Sequence, residues 1–65
     1  MTLKEIKAAV DAGSIVCWIN GGYRVLKDMN GDYLIIHRGG SAIGLTWADG
    51  VTLNGKESEF YLVEK

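Results

Sequence analysis

The chain has 65 residues, 48% of them hydrophobic and 23% charged, and its seven Lys+Arg against eight Asp+Glu leave a net charge of −1. This length supports one domain, residues 1–65, with the composition of a folded globule rather than a disordered tail. The charge balance argues against a general nucleic-acid binder, whose affinity rests on neutralising phosphates, and no segment approaches the roughly 18 apolar residues of a membrane span.

A chain of this size buries only about 60% of the surface its unfolded form exposes. Cys17 is the only cysteine, so no internal disulfide staples it. Surplus apolar surface then points to a docking partner, either another protein or a second copy in a homodimer. The N-terminal residues lack an apolar run after a basic start, and the expected setting is the reducing cytoplasm.

Thr2 followed by Glu5 is a capping box, in which the hydroxyl accepts from the Glu5 amide and the carboxylate from the Thr2 amide. Leu3, Ile6, Ala9 and Val10 form one apolar stripe, Lys4, Lys7 and Asp11 take the wet side, and Gly13 supplies the left-handed residue that closes the helix. So short a helix needs an apolar surface to lie on.

Nine glycines and no proline cut the remainder into strand-length pieces. In Ser14 to Ile19 the residues Ile15, Cys17 and Ile19 oppose Val16 and Trp18, so both faces are apolar, as in a central strand covered on two sides or curled into a barrel. Asn20-Gly21-Gly22 reads as a hairpin turn. Tyr23 to Asp28 follows, then the turn Asp28-Met29-Asn30-Gly31, a strand from Tyr33 to His37, the turn Arg38-Gly39-Gly40-Ser41, and a strand from Ala42 to Trp47. Gly44 marks a bulge or bend in that strand. Val51-Thr52-Leu53, between Asp49-Gly50 and Asn54-Gly55, is long enough only for an edge or a connecting β-bridge, and Glu59 to Glu64 makes a last strand. The expected architecture is α+β, one N-terminal helix packed on a bent antiparallel β-meander of four to five strands.

Catalytic groups are scarce. His37 is the only histidine, and the pattern of its strand makes it a strand-end surface residue; Cys17 lies in the most apolar strand and reads as a small buried hydrophobe. One Cys and one His fall short of a structural zinc site. Asp28-Met29-Asn30-Gly31-Asp32 lacks the spacing and closing glutamate of a calcium loop. Neither Gly39-Gly40-Ser41 nor Asn20-Gly21-Gly22 opens a helix or precedes a lysine in nucleotide-binding spacing. No cofactor and no enzymatic activity are expected.

Surface recognition remains. From Trp47 onward Asp49, Glu57, Glu59 and Glu64 outnumber Lys56 and Lys65. Trp47, Asp49, Glu57, Glu59 and Tyr61 combine aromatics with carboxylates, a set suited to docking on a basic protein surface. The alternative is a small single-stranded nucleic-acid-binding module in which Tyr23, Tyr33, Arg24, Lys27 and Arg38 form an aromatic and basic platform. The stretch from Met1 to Gly13, with Val16-Cys17-Trp18, Gly22-Tyr23, Ile43-Gly44-Leu45-Thr46, Leu53-Asn54-Gly55-Lys56-Glu57 and Phe60, resembles small orphan proteins of phages and integrated mobile elements, some of which are anti-CRISPR inhibitors. The resemblance covers nearly the whole chain. It implies a phage protein acting in the host-cell cytoplasm, an inhibitor that binds the basic surface of a CRISPR effector subunit without an active site. That class shares size and genomic setting rather than a residue pattern, so no functional residue is carried over.

Overall fold

The computed structural model describes residues 1–63. Helix α1 spans Leu3–Asp11 and begins at the expected capping box, with Glu5 N donating to Thr2 Oγ1 at 3.2 Å and Thr2 N to Glu5 Oε1 at 2.8 Å. Gly13, at φ +86°, ends it, and the amides of Gly13 and Ser14 donate back to the carbonyls of Val10 and Ala9. Ile6 is fully buried, while Leu3, Ala9 and Val10 pack around it as the stripe requires.

Five strands follow: β1 (Ile15–Trp18), β2 (Asn20–Lys27), β3 (Tyr33–His37), β4 (Ala42–Gly44) and, after a 3₁₀ turn over Glu57–Glu59, β5 (Phe60–Val63). All pairings are antiparallel and the sheet order is β4-β3-β2-β1-β5. The first four strands form a meander, whereas β5 returns past it to pair with β1. Glu64, expected in the last strand, lies outside the described residues.

The register assigns every side chain to a face. On the helix side, Ile35 pairs with Val25 and Ile43, Val16 with Leu62, Trp18 with Phe60, and Tyr23 with His37. The core joins Ile6 to Val16, Val25, Ile35, Leu45 and Phe60, each at most 3% exposed. On the opposite side one row crosses all five strands, Tyr61, Cys17, Arg24, Ile36 and Ala42, beside a second row of Leu26, Leu34 and Gly44. Among the described residues no helix covers this side, so β1 is apolar on two faces without being sandwiched. Cys17 is nevertheless buried, among its neighbours in the sheet, and the Tyr61 hydroxyl's pKa is pushed up by burial and by the adjacent thiol.

Ser14, Ile19, Asp28 and Glu59, expected at strand ends, fall one residue outside their strands, and two expected boundaries move by three residues. Asn20-Gly21-Gly22 is not the hairpin turn; these residues open β2, and the chain reverses at Ile19, which takes φ +65°. The pairing Cys17↔Arg24 is the one a two-residue Asn20-Gly21 turn would give, but beyond it the register jumps to Trp18↔Asn20. The hydrogen bonds at this end go to neighbouring segments, with Ile19 N donating to Glu59 O of the 3₁₀ turn and Arg38 N, just after β3, to Gly22 O, both at 2.8 Å. Tertiary partners for the backbone thus override the local turn preference. The other change is in β4, which stops at Gly44 instead of running to Trp47. A Cβ there would sit 3.1 Å from the Thr46 carbonyl oxygen, so the missing side chain lets the chain bend and send Leu45 into the core.

Candidate protein-docking surfaces

Between β4 and β5 the chain forms a ribbon. Thr46 and Leu53 pair as an isolated antiparallel bridge, Trp47 N donates to Thr52 O at 2.9 Å, and Asn54 N to Leu45 O at 2.8 Å. The bridging role expected of Val51-Thr52-Leu53 is therefore met at Leu53. At the ribbon's end Asp49 organises the turn: its Oδ1 accepts from the amides of Val51 and Thr52 at 3.0 and 2.9 Å, and its Oδ2 from the Thr52 hydroxyl. These bonds, the Thr52 hydroxyl foremost, hold the Asp49 carboxyl below its ordinary pKa of 3.8. Trp47 and Val51 project from this frame, 65% and 73% exposed.

A carboxyl whose native pKa is depressed contributes stability that is complete above its unfolded pKa and is lost as pH falls through the native one. We expect the Asp49 side-chain carbon to titrate, by NMR, with a midpoint below 3.8. The Thr52 amide should lose protection from exchange over the same acid range. An ordinary midpoint would show that the turn does not depend on the ionised carboxylate.

The other members of the expected patch lie at the opposite end of the sheet order, around β5. Glu59 is committed to the fold, accepting from Trp18 Nε1 at 3.3 Å and from Lys56 N at 2.9 Å. Glu57 is exposed, and its carbonyl accepts from the Met1 amino group at 2.7 Å. Tyr61 stands on the open face above Cys17. The five residues thus fall into three environments. Trp47 and Asp49 share the ribbon, Glu57 and Glu59 the 3₁₀ turn, and Tyr61 belongs to the uncovered side of the sheet.

The nucleic-acid platform is divided in the same way. Tyr23 and Tyr33 face the helix, Tyr23 in edge contact with Trp18 and 4.5 Å from the His37 ring. Arg24 and Arg38 line a cleft of about 190 Å³ on the opposite side, together with Gly21, Gly22, Leu26 and Ile36. Tyr33 is tied down: its hydroxyl donates to Asp11 Oδ1 at 2.7 Å, Lys27 Nζ reaches the same oxygen at 3.3 Å, and Lys7 and Lys27 lie over its ring. The Tyr33 bond holds the Asp11 pKa down, with Lys27 adding to it, and Asp11 raises those of Tyr33 and Lys27. An aspartate in the last turn opposes the helix dipole, and this clasp onto β2 and β3 offsets the penalty.

Cys17 and His37 occupy opposite faces of the sheet, which separates the two side chains best suited to nucleophilic chemistry. His37 Nδ1 accepts from Gly39 N at 3.3 Å. Among the described residues no three His, Cys, Asp or Glu side chains gather to hold a metal ion, and no helix is long and apolar enough to cross a membrane. A cleft of about 390 Å³ is an open groove between the ribbon and the β2–β3 turn, bordered by Lys7, Asp32, Tyr33, Thr46 and Gly50. Sequence reading missed Val51 and the open sheet face; the signal for the latter was present in β3, where Leu34 and Ile36 alternate with Tyr33, Ile35 and His37.

No family model matches the chain, no curated protein matches it, and no solved structure matches its fold.

Proposed function

We propose that this is a non-enzymatic binding protein that inhibits a host defence complex by occupying a basic surface of one protein subunit, in the manner of anti-CRISPR proteins. The observation that carries the reading is the exposed Trp47 on a ribbon fixed by its own hydrogen bonds. An indole held in one place loses little freedom on binding, and tryptophans dominate the energetics of protein interfaces. Asp49, between Trp47 and Val51, places a carboxylate beside this apolar pair, a combination that complements a basic surface. The resemblance to small phage proteins supplies the kind of target, and the ribbon supplies the contact.

The test is direct. Purified CRISPR effector complexes are titrated with the protein while target-DNA binding is followed, and Trp47→Ala is compared with the unaltered chain. The substitution should weaken inhibition by about 30-fold or more while leaving the denaturation midpoint in place. Equal inhibition by the alanine variant would remove the ribbon from the interface.

A further inference from the structure

The uncovered side of the sheet is the largest feature that the ribbon does not explain. Its rows contain Ile15, Cys17, Leu26, Leu34, Ile36, Ala42, Tyr61 and Val63, among which Leu26 is 51% and Tyr61 40% exposed. A sheet face of this composition is ordinarily buried against a second layer. Two positive groups interrupt it. Arg24 stands on the central strand between Cys17 and Ile36, and Arg38 follows β3 at the same cleft. Within the strand segments of this face no acidic residue occurs, and the one ion pair among the described residues, Lys27–Asp11, lies on the helix side.

These charges decide what can cover the face. A symmetric pair of copies packed through it would bring two Arg24 and two Arg38 side chains into one apolar interface whose strand segments offer no carboxylate, leaving buried guanidinium groups without an acidic partner. A nucleic-acid strand would find only two cations among the exposed Leu26 and the half-buried Leu34 and Ile36, whereas such binding grows with the number of phosphates neutralised. An amphipathic protein segment with carboxylates beside its apolar stripe satisfies both requirements at once. Its apolar side chains cover Leu26, Leu34 and Ile36, and its carboxylates reach the forked donors of Arg24 and Arg38, which suit carboxylate geometry. We propose that the open sheet face is a second docking site, and that its occupant is an acidic amphipathic segment of a partner protein. This site is independent of the Trp47 ribbon and opposite in charge preference.

The experiment uses the full chain and three probes: a synthetic amphipathic peptide with glutamates flanking a leucine stripe, the same peptide with every glutamate replaced by glutamine, and a single-stranded oligonucleotide. Methyl NMR shifts of Leu26, Leu34 and Ile36 report the site. Saturable binding of the glutamate peptide with shifts at these methyls is expected, and both the glutamine peptide and the Arg24→Gln/Arg38→Gln variant should bind about tenfold more weakly or worse. Trp47→Ala should leave this binding unchanged, which separates the two sites. Equal affinity for the glutamine peptide, shifts confined to other residues, no saturable binding, tighter binding of the oligonucleotide, or a wild-type dimer that buries these methyls would each overturn the proposal. The comparison of peptides on the unaltered chain keeps the test decisive if the double variant fails to fold.

Discussion

Gly55→Ala is expected to destabilise the protein by about 2–4 kcal/mol, although it adds a single methyl group to an exposed position. Gly55 has φ +137°, a conformation that side chains strain to adopt. A Cβ there would also fall 2.8 Å from Trp18 Nε1 and 3.2 Å from the adjoining ring carbon. Trp18 has nowhere to retreat, because its ring stacks on Phe60 at 6.0 Å, meets Tyr23 edge-on at 5.2 Å and donates through Nε1 to Glu59. In a domain of this size, whose core supplies about 3–5 kcal/mol of net stability, such a loss populates the unfolded state. Gly21→Ala provides the contrast, since a Cβ at Gly21 meets nothing within 4 Å. Urea unfolding followed by tryptophan fluorescence should show a large drop in midpoint for the first variant and a shift within about 0.5 kcal/mol for the second. Similar behaviour of the two would mean that Trp18 does not rest on Gly55.

Trp18 also marks where local sequence stops determining the fold. The helix was legible because its cap, stripe and closing glycine are all within α1 or next to it, and the Asp28–Gly31 turn because Asp28 Oδ1 accepts from the amides of Asn30 and Asp32 within the same few residues. β3 was legible from Tyr33 to His37, where an apolar run lies between two glycine-bearing turns. The turn at Ile19 was not. An isoleucine at positive φ contradicts every local preference, and what holds it there is the carbonyl of Glu59, forty residues away in the chain. The candidate patch is spread over three environments for a related reason. Carboxylates look alike in a sequence, but Glu59 and Asp49 satisfy backbone amides while Glu57 remains exposed, and only the folded partners distinguish them. The open face went unread because alternating apolar residues on both sides of β1 and β3 suggest a covered sheet, whereas among the described residues no second layer lies over this side.

The ribbon that presents Trp47 is anchored in the core at Leu45, with Leu53 packed against the same cluster. Leu45 is fully buried and stands where β4 gives way to the ribbon, with its amide donating to Tyr33 O at 3.0 Å and its carbonyl accepting from Asn54 N. Leu45→Ala should cost about 2–5 kcal/mol, the range for truncating a buried leucine with little room to collapse, and so approach the whole stability of the domain. Leu45→Met conserves volume and should cost less than about 1.5 kcal/mol. The pair links stability to capture. If the ribbon is held rigid by its packing, the alanine variant loses effector inhibition with its fold, as measured by circular dichroism alongside the titration, while the methionine variant keeps both. Trp47→Ala must then behave in the opposite sense, folding normally and failing only in the titration. A folded Leu45→Ala that still inhibits would show that the ribbon keeps its shape through the Asp49 turn and the Thr46–Leu53 bridge alone, without support from the core.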